Sequence, residues 1–583
     1  MMTLTLLYRL LIGGTINKLM MKSEKCKFKY LIVILFLLLN IQKNFAVNAE
    51  SAYLQTDRDV FVAGESLFYK LYVVNAQTKI YSSTSKTGYI TLRNINGINV
   101  LKARVLIGSG MSSGSFLLPD TLSSGVYQLL AYTNLMRNLD ENNYFSKEII
   151  ITNRHDKEFN YKLPRCNFGF VKTADSSDIL VNKVSFSQRE KVVVNLGKRK
   201  GNLAVSVYED PQIQLFNKNI VETFTEVASS AYDNSQLKYP VEDRTQILSA
   251  KVIDENSGIP LKNVIVLLTT PDTIPNLQYQ KTDNSGYFHM PLSPYYDGKT
   301  LYFNVVGLED GVKSKIVFDD KYKIDKKWNP ELFVNNGNSG YFSTSSKLFY
   351  INKFYENTDR EIFIKTDTDK AICPKLYNCL SNSVFPADFV QLKDFREIVS
   401  ELLPKVRLVN NDGKYGIYII NSVTSMLFQK QPAIFLDGVL IDNVDYIMGM
   451  GSEDIKRIDV VDAERVYGNL LFHGVISITS NSEQNLKQLT YLNKNKVVND
   501  TVNHGMPFSI IDPEKYSNSN APLLKQLLYW NPGVFSGEDD AVIEFYTSDY
   551  LSSYIIKVEG LSENGNAFYA VKTFKVENNK DTK

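Results

Sequence analysis

The sequence predicts a mainly β protein, tandem β-sandwiches with one small α+β unit. Tyr 35 and Phe 32 among 583 residues are aromatic side chains that favour strands. Short apolar runs recur about every 8 to 12 residues between turn-forming clusters, the rhythm of a sandwich. A well-defined helical stripe stands out in one place only, around residues 394–404. At roughly 100 to 200 residues per domain, the length predicts about three to five domains. Lys+Arg 65 against Asp+Glu 63 leaves no basic excess for a nucleic-acid surface, and 4 His and 4 Cys are few for a metal or redox enzyme.

The first fifty residues read as an export signal. Lys22, Lys25, Lys27 and Lys29 precede the apolar run Tyr30 to Leu39, and Val47, Asn48 and Ala49 offer small residues at cleavage positions. Ten apolar residues are too few for a membrane anchor, which needs about 20. Met20 and Met21 stand directly before the basic stretch, so residues 1–19 need carry no fold. Cys26 precedes the apolar run, where a lipoprotein cysteine would follow it. Removing 1–49 takes away seven basic residues and Glu24, turning the net charge from +2 to −4. The slight basicity therefore belongs to export. In an oxidising compartment Cys373 and Cys379 are close enough in sequence to staple a small loop, with Cys166 left over; no His pair lies near for a metal site.

Within 50–153 the strand-like runs are Leu67 to Val74, Gly88 to Leu92, Asn99 to Leu106, Ser115 to Leu118, Val126 to Tyr132 and Glu148 to Ile151. Gly64, Gly97, Gly114 and Gly125 stand where hairpin turns call for positive φ. The phrase Thr56-Asp57-Arg58, with Leu118-Pro119-Asp120 and Gly125-Val126-Tyr127, resembles the macroglobulin-like domain of alpha-2-macroglobulins, in versions found in exported Bacteroidota proteins. That resemblance implies an Ig-like sandwich and assigns no particular activity. Val184 to Phe186, Lys191 to Leu196 and Leu203 to Tyr208 predict a second sandwich with its connector over 154–245, and Val221 to Tyr232 a short helix.

Over 246–320, Ser249 to Asp254, Val264 to Leu268 and the turn Asp283-Asn284-Ser285-Gly286 resemble the carboxypeptidase regulatory-like domain, a sandwich without peptidase chemistry. In the turn, Asp and Asn cap their own backbone and Gly supplies the left-handed residue. Residues 321–387 read as a linker with some strand, such as Glu361 to Lys365. Asp394 and Glu397 then form an N-terminal capping pair ahead of the stripe Phe395, Ile398, Val399 and Leu402.

Residues 388–480 order their motifs in a distinctive way. Ile434-Phe435-Leu436 leads into Asp437-Gly438; a helix-like start at Asp454-Ile455, a strand through Val461, Tyr467-Gly468 and a last strand after Gly474 follow. The order resembles the plug domain of TonB-dependent outer-membrane receptors. Asp437, Gly438, Tyr467, Gly468 and Gly474 carry the likeness, and their plainest reading is structural, as tight turns with close backbone approach. The receptors' barrel of some 22 strands cannot follow, because about 103 residues remain and spanning strands take about 9 to 11 each. Those residues, 481–583, predict a C-terminal sandwich from Leu527 to Pro532, Val542 to Tyr546, Tyr554 to Leu561 and Phe568 to Val576.

The search for chemistry finds one candidate. Gly110-Met111-Ser112-Ser113-Gly114 fits a hydrolase elbow, but a helix should follow and a strand-type run does. No thioester phrase, His-Glu-x-x-His or phosphate loop occurs. The expectation is a non-enzymatic exported scaffold or partner-binding protein, with no catalytic residue, cofactor, metal, nucleotide or nucleic acid. Its partner would be an outer-membrane β-barrel or an envelope complex, in the periplasm, at the outer membrane or at the cell surface, with membrane association through partners only. The alternatives are a barrel-less component of TonB-linked uptake and, remotely, a hydrolase.

Overall fold

The computed structural model describes residues 48–156, 177–213, 215, 217–226, 237–309, 311–329, 339–355, 375–377, 382–411, 414–481, 495–509, 522–537 and 539–578. The body described below is Glu50–Ala228 with Tyr239–Lys583, a unit separate from Met1–Ala49 with Ser229–Lys238. The signal segment, all three remaining cysteines including Cys373 and Cys379, and the strand expected at 361–365 lie outside the described residues.

The first sandwich packs a three-stranded sheet (Glu50–Thr56, Ser66–Asn75, Met111–Leu117) on a five-stranded one (Val60–Val62, Phe145–Thr152, Gly125–Thr133, Thr87–Arg93, Asn99–Leu106). Leu54, Leu71, Ile90, Val105 and Leu129 fill the space between. Gly97, at φ 78°, turns the hairpin between Thr87–Arg93 and Asn99–Leu106, whereas Gly64 has the expected positive φ, 93°, but carries the chain from one sheet to the other. Gly114 and Gly125 do not have such a φ: both sit in strands. Gly114 is there for closeness, since a Cβ would come within 2.7 Å of the Tyr69 hydroxyl.

The two sandwiches expected at 154–245 and 481–583 are one. Gly201–Glu209 lies between Leu527–Ser536 and Ser553–Ser562, with Ala567–Val576 and Ser185–Phe186 beyond. The facing sheet likewise pairs Lys191–Asn195 with Val542–Tyr546. One core, with Val192, Val205, Phe545, Ile556 and Phe574, serves both stretches of chain. The physical reason is that neither half closes a sandwich alone. Central strands such as Gly201–Glu209 expose backbone donors and acceptors on both edges, and only the returning C-terminal strands satisfy them.

The third sandwich sets Tyr287–Pro291, Ile247–Asp254 and Ser314–Phe318 against Gln278–Lys281, Ile265–Thr269 and Thr300–Val306. Lys496–Val498, expected in a terminal sandwich, is the fourth strand of its second sheet. In the 283–286 turn, Asp283 Oδ1 accepts from the N–H groups of Ser285 and Tyr287 at 2.8 and 2.9 Å, and Gly286 takes φ 77°.

The α/β unit orders its sheet Asn382–Val384, Ile455–Val461, Val475–Ser480, Ala433–Leu436, Val439–Leu440. Helix Phe395–Leu402 covers it, capped by Asp394 accepting from the N–H groups of Arg396 and Glu397 at 3.0 and 3.1 Å. The helix-like start at Asp454-Ile455 is instead a turn, and Ile455 opens a strand fully buried on one face. The expected linker holds the 17-residue helix Ser339–Tyr355, whose apolar residues follow no clean period, so its pattern was silent in the sequence. The short helix Ile220–Thr225 opens with an Asn219/Glu222 capping box.

The split sandwich yields a prediction. Truncation after Leu524 removes the strands that flank Gly201–Glu209, so residues 180–209 should become rapidly cleaved by trypsin and the chain should lose its cooperative urea transition. Retained protection of 180–209 would show that this stretch closes a core by itself.

Candidate functional sites: joints, turns and an inter-sandwich cleft

The Thr56-Asp57-Arg58 phrase builds an internal clasp. Asp57 accepts from the Phe68 N–H at 2.9 Å and from Arg58 at 2.8 Å, and Arg58 also donates to Glu65 at 2.6 Å, which in turn takes the Val62 N–H at 2.8 Å. The clasp pins the loop that ends in Gly64, so its residues serve the sandwich opening.

The outer face of the Glu50–Thr56 sheet is a joint. Tyr53, Gln55, Lys70 and Tyr72 share it by strand alternation, since Tyr53 pairs with Tyr72 and Gln55 with Lys70. They meet the five-stranded sheet of the split sandwich: Tyr53 donates to Glu559 at 2.8 Å, Gln55 to the Ala204 carbonyl at 3.2 Å, and Lys557 to the Thr56 carbonyl at 3.3 Å. Nearby, Lys147 pairs with Asp59 at 2.6 Å and donates to Thr56 Oγ1 at 2.6 Å. Burial alone would raise the Asp59 carboxyl, but Lys147 and then Lys557 overcome it and hold it at about 2. Burial first, then Glu559, pushes the Tyr53 hydroxyl well up.

A second ionic joint links the first sandwich to the third. Glu242, fully buried, pairs with Lys321 and accepts from the Tyr89 hydroxyl at 2.9 Å. Arg137 holds Asp319 through two hydrogen bonds of 2.6 and 2.9 Å and lies 3.9 Å over the Tyr239 ring.

Four of the five plug-like residues, Asp437, Gly438, Tyr467 and Gly468, gather at the contact of the α/β unit with the third sandwich, and Gly474 makes its close approach inside the α/β unit. Asp437 and Gly438 take φ of 48° and 82°, both turn residues left-handed, the geometry of a two-residue hairpin. Asp437 accepts from the Ser480 N–H at 2.8 Å and from its hydroxyl at 2.7 Å, while its own carbonyl accepts from the Asp272 N–H at 3.0 Å. A Cβ on Gly438 would come within 2.7 Å of the Asp272 backbone. Tyr467 donates to the Leu277 carbonyl at 2.6 Å, and a Cβ on Gly468 would overlap the Tyr279 hydroxyl. Gly474, φ 91°, clears Ile419 and the Val461 carbonyl. The motif thus fastens one unit to the next, a role that its turn chemistry foreshadowed without naming the surface.

Ser112 lies within the strand Met111–Leu117, opposite Leu71, and no helix follows it. The elbow geometry is absent because Gly110, at φ 75°, turns the chain from one strand run into another. Beside it opens a cleft of about 350 Å³ between the first and the split sandwich, lined by Lys70, Ser113, Asn202 and His504 among others. The sequence carried no signal for this cleft, since its residues come from five separated stretches. Among the described residues no group of His, Cys, Asp and Glu could hold a metal ion, and no helix is long and apolar enough to cross a membrane, which says nothing of β-strands.

No family model matches the chain, and no curated protein matches it. Among solved structures, it is similar to alpha-2-macroglobulin from Salmonella reacted with methylamine, at TM-score 0.22 and 8% identity over 91% of this chain and 40% of that one. It is also similar to trypsin-activated alpha-2-macroglobulin from Escherichia coli, at TM-score 0.22 and 7% identity over 92% and 42%. The native conformation of the E. coli protein gives TM-score 0.23 and 8% identity over 92% and 40%. This chain therefore spans about two-fifths of the length of those proteins, and likeness at such scores carries no argument about activity.

The Asp59–Lys147 pair sets a pH-dependent prediction. Its folded value lies below the ordinary 3.8, so the stabilisation is present above about pH 4 and is lost as pH falls through about 2. Asp59→Asn, which leaves Lys147 buried without its carboxylate, should cost about 3 kcal/mol at pH 7 in urea melts. The gap to the native protein should close between pH 4 and 2; a gap that stays constant would remove the pair from the account. At the turn, Gly438→Ala should cost about 1 to 3 kcal/mol through its left-handed backbone and the Asp272 contact, read from the same melts.

Proposed function

We propose that this chain is an exported, non-enzymatic scaffold that binds an envelope partner, an outer-membrane β-barrel or an envelope complex, through loops of its α/β unit. The observation that carries the reading is an ordered loop with its apolar side chains held outward. In residues 421–426 the Asn421 N–H donates to the Met426 carbonyl and the Ser425 N–H to the Asn421 carbonyl, both at 2.8 Å. Yet Val423 is 83% and Met426 72% exposed. A loop whose backbone is pinned costs little to immobilise on binding, so its apolar tips are suited to a partner.

The basic-then-apolar N-terminal stretch supports export. The motif order of 388–480 supports a receptor-related partner, since it resembles a unit that works inside a barrel. The hairpin Arg465–Tyr467 with Leu470–Phe472 adds a second display: Tyr467 and Phe472 pack inward, while the cross-strand pair Val466 and Leu471 faces solvent.

Crosslinking in native envelopes followed by mass spectrometry tests the proposal. The full chain should link to an outer-membrane β-barrel or envelope protein, and Val423→Asp with Met426→Asp should lower that yield about tenfold or more. Stability should move by no more than about 0.5 kcal/mol, as for other exposed positions. Absence of any envelope crosslink in the native protein would sink the reading.

A further inference from the structure

We infer that the cleft between the first and the split sandwich is a binding site for a carboxylate, with Lys70 as its cationic anchor. Eight cationic side chains are buried among the described residues: Arg58, Lys70, Arg93, Arg104, Arg137, Lys147, Lys321 and Lys557. Seven of them hold carboxylates or oxygen acceptors of the protein, as in Arg58 with Glu65, Lys321 with Glu242, Arg93 with the Lys326 carbonyl and Lys557 with that of Thr56. Lys70 is the exception. It is 3% exposed, its ammonium lies 4.8 Å from the centre of the Tyr72 ring, and no carboxylate or hydrogen-bond acceptor of the described residues meets it.

An ammonium held largely out of water beside a ring face is costly, and burial accordingly pulls its pKa down to about 7. The cost is relieved when an anion enters. The cleft has the room, about 350 Å³, and Lys70 lines it together with Asn202 of the split sandwich and Asn503 and His504 of the segment running past the sheet edge. That segment is tied down on both sides: the Asn503 N–H donates to the Arg104 carbonyl at 2.8 Å, and the Met506 N–H to Ser115 Oγ at 2.6 Å. The wall is therefore built, and joints between domains are where ligand sites concentrate.

The chemistry of the lining selects the anion. One lysine supplies one positive charge, matching the single charge of a carboxylate, and no arginine lines the cleft to give the planar fork that favours phosphate. Amide and hydroxyl donors on Asn202, Asn503 and Ser113 suit the second carboxylate oxygen. Leu106, Met111 and Val502 offer apolar wall for a short carbon chain. A free short-chain acid and the C-terminus of a peptide share this chemistry.

The test is calorimetric titration of the full chain with sodium butyrate, with a hexapeptide ending in a free valine carboxylate, and with butyramide and the peptide amide as uncharged controls. Butyrate or the free peptide should bind and the controls should not. Binding by butyrate alone assigns a free acid, and binding by the peptide alone a chain terminus. Lys70→Met should weaken binding at least tenfold while urea melts show equal or higher stability, because an unpaired buried charge is gone. Ser113→Asp keeps the test decisive if Lys70→Met fails to fold. Ser113 is exposed and directly opposite Lys70 in register, so the new carboxylate pairs with the lysine, blocks titration by either ligand and raises the melting temperature. Failure of both carboxylates to bind the native chain, or unchanged affinity in a folded Lys70→Met or Ser113→Asp protein, overturns the assignment.

Discussion

A sheet covered on both faces over two of its three strands organises this molecule. Glu50–Thr56, Ser66–Asn75 and Met111–Leu117 turn Leu54 and Leu71 into their own sandwich and Tyr53, Gln55 and Tyr72 against the next. A sheet with two covered faces cannot be soluble alone, so the first sandwich depends on the split one. The split one in turn depends on strands that return some three hundred and fifty residues later, as Val205 beside Val558 illustrates. The third sandwich and the α/β unit lie in the chain between those strands. Closing so long a loop adds little entropy cost beyond that of a shorter one, but it makes pairing wait on nonlocal contacts.

The joints are ionic as well as apolar, and that has a consequence for specificity. Tyr53 with Glu559, Tyr89 with Glu242 and Arg137 with Asp319 each place charge where water is scarce. Such pairs add little net stability over apolar contacts, but a misdocked sandwich would leave the charges unpaired at a cost of several kcal/mol. The joints therefore select one docking over its neighbours. Lys70 lies on the same face and has no such partner among the described residues, which is why it stands out from the other buried cations.

Local chemistry was legible in the sequence wherever a residue acts on its own backbone. The Asp394 cap, the Asp283 to Gly286 turn and the left-handed Asp437-Gly438 pair all follow from side chains that bond, or backbones that bend, within a few residues. Strand positions such as Asn99–Leu106 were equally readable as short β-type runs between turns. Glycines were half legible: Gly64 bends the chain, whereas Gly114 makes room for Tyr69, and composition does not separate the two uses. The helix Ser339–Tyr355 was hidden because its apolar residues keep no period.

By itself the sequence determined the class, a mainly β protein with one α+β unit, the place of most strands, the caps and the turns. Only the tertiary structure decided which strands share a sheet. It joined 180–209 to 527–576, lent Lys496–Val498 to the third sandwich, and set Tyr467 and Gly438 against a neighbouring unit. The reason is physical. Alternation records which face of a strand is apolar, but the edge that pairs it is made of backbone N–H and C=O groups identical in every residue. Partner choice is then settled by how the whole set of apolar faces and buried charges can be satisfied at once, and that condition exists only in three dimensions.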